Sequence, residues 1–173
     1  NIEEKSEVLV PQIIFSKTGE SSVEIYEEQN DITYRASMTK WIESQPLKGN
    51  ETKDIFIELG KTVAQLHEAT QNLSIPTHLS PKKWNKVFYF CNEKVVYKEN
   101  KYRHLLNGEF IDLLDQLIPY LDHQLHKHYK NRTPQLIHAD LNPWNVRLHQ
   151  GKIAILDFED AVLGFPIQDI ATL

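Results

Sequence analysis

The sequence predicts an α+β fold, and three observations lead to that prediction. Short runs of strand-forming residues alternate with turn residues in the first 39 positions. Apolar residues recur at helical spacing in the middle of the chain. Two short apolar runs near residue 150 are joined by the turn pair Gln150-Gly151. We therefore expect an antiparallel sheet first, and then a mainly helical region that contains one β-hairpin.

Length and composition limit the class of protein. The 173 residues fit one ordinary domain, and 40% hydrophobic residues are typical of a globular chain. A net charge of −5 argues against nucleic acid as the main partner and is compatible with a cationic small substrate. No apolar run reaches the length of a membrane span, and the first eight residues do not resemble a signal peptide. With Cys91 as the single cysteine there is no internal disulfide, so we expect a cytoplasmic protein.

Three strands are predicted in the N-terminal part of the chain. They cover Pro11 to Ser16, Val23 to Glu27 and Ile32 to Met38. The residues between them, at 17–20 and 29–31, include glycine, asparagine and aspartate, which favour turns. We expect the three strands to pair in order as an antiparallel meander.

Two helices are predicted from apolar periodicity. The first runs from Glu51 to Ala69, and the second from Glu109 to Tyr129 with a kink at Pro119. The apolar face of the first helix is formed by Phe56, Leu59, Val63 and Leu66. The apolar face of the second is formed by Phe110, Leu113, Leu117, Leu121 and Leu125. We expect the second helix to bury the core of the C-terminal region.

A third helix is predicted from a start signal. Ser80 suits the N-cap position and Pro81 suits the first turn of a helix. The buried face of this helix would consist of Trp84, Phe88, Cys91 and Val95. On that face Cys91 would be a small core residue rather than a nucleophile.

The stretch 136–160 concentrates the polar groups that can do chemistry. In the predicted hairpin, Asn145 comes just before the first strand and Asp157 just after the second, so the two side chains should lie close together. Their oxygens suit Mg²⁺, which takes one or two ligands from the protein and the rest from phosphates and water. Asp140, on the loop leading in, would then accept a proton from an attacking hydroxyl.

The segments HADLNPWN and ILDFED, taken together, resemble the catalytic and metal loops of the aminoglycoside phosphotransferase and choline kinase-like family. Members of this family are small-molecule kinases that share the protein-kinase fold. The resemblance implies that Asp140 is the catalytic base and that Asn145 and Asp157 are magnesium ligands. It also implies that His138 holds the catalytic loop in shape.

Two residues depart from the pattern of protein kinases. Ala139 stands where a protein kinase has arginine, and Glu159 stands where it has glycine. Both differences favour the small-molecule branch. Glu159 and Asp160 either help to hold a metal or a cationic substrate, or are solvated loop residues.

Residues 38–47, MTKWIESQPL, resemble the segment that links the two kinase lobes. The resemblance implies that backbone groups of Lys40 and Ile42 contact the adenine of ATP. Leu156 is likewise predicted to contact the nucleotide. Trp41 either flanks the base or packs between the lobes. The implied domains are a partial N-lobe at 1–39, a linker at 40–47 and a helical C-lobe at 48–173.

Two further segments extend the resemblance. Residues 60–70 contain an A-x-L-H pattern in which we expect His67 to be structural. Gly164, Pro166 and Asp169 match a G-x-P-x-x-D pattern, which implies that Asp169 braces the catalytic loop through backbone amides. Helix N-capping would equally explain an aspartate at that position.

The predicted function is ATP-dependent phosphoryl transfer to a hydroxyl of a small molecule, with ATP and Mg²⁺ as cofactors. The acceptor remains open among aminoglycosides, choline-like amines, amino-alcohols and sugars. One alternative is a catalytically inactive nucleotide-binding or scaffolding module, because the chain shows no Gly-rich loop and no phosphate-binding lysine upstream. Another is a metal-dependent hydrolase that uses His138, Asp140 and Asp157. Since the chain begins at Asn1 and stops soon after the metal motif, we expect a fragment lacking both ends.

Overall fold

The computed structural model describes residue 2 and residues 6–77, 79–89 and 95–173, apart from the side chains of Val96 and Arg103. The strands are β1 (Ile13–Ile14), β2 (Val23–Glu27), β3 (Ile32–Ala36), β4 (Met38–Thr39), β5 (Gln45–Pro46), β6 (Gln135–Ile137), β7 (Val146–His149), β8 (Lys152–Ile155) and β9 (Val162–Gly164). The α-helices are α1 (Lys53–Gln71), α2 (Gly108–Asn131) and α3 (Pro166–Thr172), and short 3-10 helices cover Val96–Lys98 and Asn100–Leu105. The α+β class predicted from the sequence is confirmed.

The chain forms two compact units. The first, here called the hairpin unit, comprises Asn1–Leu66 and Leu141–Asp157. The second, here called the loop unit, comprises His67–Asp140 and Phe158–Leu173. The lobe division predicted at residues 1–39, 40–47 and 48–173 stays a prediction.

The N-terminal strands of the hairpin unit pair differently from the predicted meander. β2 and β3 form the expected antiparallel hairpin, with Ile25 opposite Tyr34. β1 pairs with β4 instead of β2, with Ile14 opposite Met38. The meander prediction is wrong because β3 ends at Ala36 and the chain then forms a separate strand, whose backbone groups pair with β1.

The sheet β5-β7-β8 is the centre of the hairpin unit. β7 and β8 are antiparallel, and both turn residues have positive φ, 49° at Gln150 and 79° at Gly151, as a two-residue hairpin turn requires. The fully buried side chains here are Leu141, Val146, Ala154 and Ile155. The predicted hairpin and its turn are therefore confirmed.

Helix α1 begins and ends two residues later than predicted. Leu59, Val63 and Leu66 are buried as the periodicity indicated. Phe56, one turn earlier, is 55% exposed, so the buried stripe starts later than predicted.

The helix predicted from Ser80 is absent from residues 80–89. Lys83 instead bridges to Leu163, and the Trp84 amide donates to the Leu163 carbonyl at 2.9 Å. The start signal was overridden because β9 presents a backbone edge with which an extended segment can pair. Tyr89 is buried against Ala139 in the core beside this edge. Cys91 lies outside the described residues.

Helix α2 packs against the rest of the loop unit through a different face from the one predicted. Four members of the predicted stripe are exposed, with 53% at Leu113 and 41% at Leu117, and Leu125 is half-buried. The prediction that this stripe buries the core is therefore wrong. The half-buried positions of the helix instead include Ile111, Leu114, Ile118, Asp122, Leu125 and Tyr129. Two polar contacts add to this face: Asp122 accepts from the Val87 amide at 2.6 Å, and Asp115 accepts from the Tyr97 hydroxyl at 2.8 Å. Neither this helix nor any other in the described ranges is long and apolar enough to cross a membrane.

Candidate functional site

The base of the β7–β8 hairpin brings two of the predicted site residues together. The Leu156 amide donates to the Asn145 carbonyl at 2.8 Å, which extends the strand pairing one step beyond the ladder. Asp157 follows directly, is exposed, and has a positive φ of 61°. The chain therefore turns sharply at Asp157, next to the segment that carries Asn145.

The turn that leads into β7 is held by Asn142, a residue that the sequence reasoning missed. Its side-chain Oδ1 accepts from the Trp144 amide at 2.8 Å, and its carbonyl accepts from the Asn145 amide at 3.0 Å. The Asn-Pro pair at 142–143 is a turn signal that would have identified it. Asn142 thus fixes the backbone immediately before the proposed metal ligand.

Asn145 and Asp157 supply one amide and one carboxylate oxygen, which are the hard ligands that Mg²⁺ prefers. A site with two protein ligands also suits an ion that takes its remaining ligands from phosphates and water. Across the described part of the chain, no group of three or more His, Cys, Asp or Glu side chains is placed to hold a metal. The fit to Mg²⁺ therefore rests on the chemistry of these two oxygen donors alone.

The linker residues lie in the same hairpin unit. The Lys40 amide donates to the Gln12 carbonyl at 2.8 Å, next to the β1–β4 pair. The Ile42 carbonyl accepts from the Ser44 hydroxyl at 3.0 Å. Trp41, between them, is 84% exposed. The two backbone groups that already have partners are thus the Lys40 amide and the Ile42 carbonyl.

In the loop unit, the carboxylate of Asp169 holds the start of the predicted catalytic loop. Its Oδ1 accepts from the Ala139 amide at 2.6 Å, and its Oδ2 accepts from the His138 amide at 3.0 Å. The Nε2 atom of His67 lies 2.9 Å from the same Oδ2. Asp169 is fully buried and lies in the first turn of α3, whose N-cap is Phe165. Asp169 therefore contacts the loop amides as expected, and the N-cap explanation is wrong.

His138 is a buried part of the predicted catalytic loop. It is 1% exposed, and its ring lies against Phe158 with 4.7 Å between the ring centres. Its Nδ1 accepts from the Asp140 amide at 3.2 Å, so the proton of the neutral ring belongs on Nε2. Asp140 itself is half-buried. This geometry suits His138 to shaping the loop rather than to reaching a substrate.

The fold is that of kinase-like phosphotransferases of known structure. A microcompartment-associated aminopropanol kinase is similar with a TM-score of 0.70 and 21% identity, over 99% of this chain and 54% of that one. An amicoumacin kinase is similar with a TM-score of 0.72 and 19% identity, over 99% of this chain and 49% of that one. A spectinomycin phosphotransferase has a TM-score of 0.57 and 18% identity, over 98% of this chain and 54% of that one. The chain thus spans about half the length of these proteins.

The family follows from the sequence. The model of the phosphotransferase enzyme family matches residues 4–173, and the chain belongs to that family. The membership predicted from the motifs at 138–145 and 155–160 is therefore confirmed. No curated protein is significantly similar in sequence.

Proposed function

We propose that the protein is an ATP-dependent kinase that transfers the γ-phosphoryl group of ATP to a hydroxyl of a small molecule. The acceptor oxygen forms a bond to the γ-phosphorus, and the bond between that phosphorus and the β,γ-bridging oxygen breaks. The electron pair of the broken bond leaves with ADP. Such a reaction needs mainly positioning and charge stabilisation from the protein.

Asp140 is the proposed general base, which takes the proton of the acceptor hydroxyl. Support comes from the loop that carries it: the Asp140 amide is held by the His138 ring, and the two preceding amides are held by Asp169. A base on a fixed backbone keeps its carboxylate in one position, which proton transfer requires. His138 is proposed to contribute through this loop geometry alone.

Asn145 and Asp157 are the proposed ligands of Mg²⁺. When bound, the ion would neutralise charge on the ATP phosphates. The observation that carries the proposal is the 2.8 Å bond between the Leu156 amide and the Asn145 carbonyl, which brings the two ligand-bearing segments together. The positive φ of Asp157, 61°, is a conformation that costs energy in a residue with a Cβ, as is common at functional sites.

The adenine is proposed to bind the linker at Lys40, Trp41 and Ile42, with Leu156 beside the nucleotide. The pairs already formed use the Lys40 amide and the Ile42 carbonyl. We therefore propose that the Lys40 carbonyl accepts a hydrogen bond from adenine and that the Ile42 amide donates one to it. Adenine presents a matching donor and acceptor side by side, at its amino group and the adjacent ring nitrogen.

The proposed acceptor is a small molecule with a hydroxyl and a positive charge. The net charge of −5 favours a cationic acceptor over an anionic one. The solved relatives are named for aminopropanol, amicoumacin and spectinomycin, which keeps amino-alcohols and aminoglycosides among the candidates. We propose that the reaction takes place in the cytoplasm, where ATP is available.

The test combines binding with turnover on the full-length gene product. Calorimetric titration with ATP should show binding that depends on Mg²⁺. Asp157→Asn should weaken that binding, because the negative charge of this ligand is lost. Asp140→Asn should keep it and lower phosphoryl transfer by about 100-fold or more, the usual contribution of a general base.

The matched control is Asp112→Asn, which makes the same chemical change on the exposed surface of α2. It should change neither binding nor turnover. If the wild-type protein does not bind ATP in the presence of Mg²⁺, the kinase proposal is wrong and a non-enzymatic module is favoured. If Asp140→Asn turns over normally, the assigned base is wrong.

A further inference from the structure

We infer that Arg147 is a positioning residue for the nucleotide. Arg147 lies on β7, and its side chain holds the linker in shape. The inference rests on the proposed function, since it assumes that adenine binds the linker. Every residue on which it depends belongs to the hairpin unit. Sequence reasoning assigned no role to Arg147.

The guanidinium of Arg147 makes two contacts with one linker residue. Its Nε donates to the Ser44 hydroxyl at 3.3 Å, and its Nη2 donates to the Ser44 carbonyl at 3.1 Å. The Ser44 hydroxyl in turn donates to the Ile42 carbonyl at 3.0 Å. All three residues are half-buried, so water screens these bonds less than it would at an exposed site. The contacts form a relay from β7 to the backbone of Ile42.

The relay replaces backbone pairing that this edge of the sheet lacks. β5 contains only Gln45 and Pro46, and Pro46 stands opposite Arg147. Proline has no amide hydrogen to donate, so the ladder is weak at this position. The planar guanidinium offers donors in a fixed arrangement, and two bonds to one residue set its orientation as well as its distance. His149 adds a contact from its Nδ1 to the Glu43 carbonyl.

The relay has a consequence for ligand binding. The Ser44 hydroxyl donates to the Ile42 carbonyl and so fixes the peptide unit that directly follows Ile42. The Ile42 amide, which is the donor proposed for adenine, lies on the peptide unit just before it. Asn145 lies two residues before Arg147 and depends on a different contact, with Leu156. Loss of Arg147 should therefore weaken the adenine contact and leave the phosphate contact intact.

The experiment compares Arg147→Ala with wild type on the full-length protein, with two probes in the presence of Mg²⁺: ATP and inorganic tripolyphosphate. The affinity for ATP should fall about tenfold, because two hydrogen bonds from a charged group are lost. The affinity for tripolyphosphate, which has no adenine, should not change. Arg147→Lys should be intermediate, since a single ammonium cannot reproduce the two-pronged contact.

Two further variants sharpen the test. Arg35→Ala removes the same charge from an exposed pair with Glu24 in the same unit, and both affinities should stay at the wild-type level. Ser44→Ala breaks the relay but keeps the Arg147 bond to the Ser44 carbonyl. Ser44→Ala should lower the affinity for ATP and leave the affinity for tripolyphosphate unchanged. If Arg147→Ala does not fold, this variant provides the test instead.

Three results would overturn the inference. Equal weakening of both probes by Arg147→Ala would mean that the residue only supports the fold. Unchanged ATP affinity in Arg147→Ala and Ser44→Ala, with normal wild-type binding, would overturn this inference and leave the proposed function standing. Failure of the wild-type protein to bind ATP would overturn both.

Discussion

Replacing Asp169 by asparagine tests how the proposed catalytic loop is held. The carboxylate is 0% exposed and has two amide donors and one imidazole nitrogen within 3.0 Å. Asparagine has nearly the same shape but keeps only one acceptor oxygen, and its NH₂ group is a donor. In either orientation of the amide, an NH₂ group faces a backbone N–H of His138 or Ala139. The substitution therefore isolates hydrogen bonding from packing.

The magnitude follows from the bonds that are lost. With the remaining oxygen turned towards His138 and His67, the Ala139 amide loses its acceptor inside the protein. A hydrogen bond to a charged group contributes about 1.5–3 kcal/mol, and the bonds that remain lose their charge assistance. We expect the free energy of unfolding to fall by about 3 kcal/mol. For a chain of this size that corresponds to a melting temperature lower by about 6–12 °C.

Thermal unfolding followed by circular dichroism measures the effect. Asp112→Asn, on the exposed surface of α2, should have the same melting temperature as the wild-type protein. Wild-type stability in Asp169→Asn would refute the reasoning, because it would mean that the buried carboxylate contributes nothing to holding the loop. His67→Ala should give a smaller loss, since it removes one of the three partners.

Two more predictions concern stability in the loop unit. Burial raises the pKa of Tyr129 from its ordinary value of 10.0 to about 12, so the unfolded chain loses this proton first and stability should fall as the pH rises from 10 to 12. Tyr129→Phe should make urea unfolding less dependent on pH in that range, and an unchanged dependence would contradict the assignment. In Gly164→Ala, the new Cβ would lie 2.5 Å from Ile137 Cδ1, and overpacking should cost about 1–3 kcal/mol. In Gly60→Ala, the new Cβ on α1 would have open space around it, so this variant should instead stabilise the protein by up to about 1 kcal/mol. Equal changes in the free energy of unfolding for Gly164→Ala and Gly60→Ala, measured with urea, would contradict the overpacking argument.

Local signals in the sequence were enough to predict the β7–β8 hairpin. Gln150 and Gly151 favour the turn, and the strands on both sides are short, apolar and adjacent along the chain. The helix predicted from Ser80 was wrong because its competitor, the backbone edge of β9, lies some 80 residues away in sequence, at Leu163. The burial of the α2 leucine stripe was also mispredicted, because periodicity identifies an apolar face but not what contacts it.

The conformation of the proposed catalytic loop shows why sequence spacing alone could not predict the whole candidate site. Ala139 has a φ of 69°, a left-handed conformation that costs a residue with a Cβ about 1–2 kcal/mol. Nothing about an alanine indicates this, since glycine and asparagine are the usual residues there. The conformation persists because Asp169, 30 residues further along the chain, accepts the Ala139 amide at 2.6 Å. The strain and its compensation lie on different segments, so the shape of the loop depends on tertiary structure even though its chemical groups can be identified from the motif.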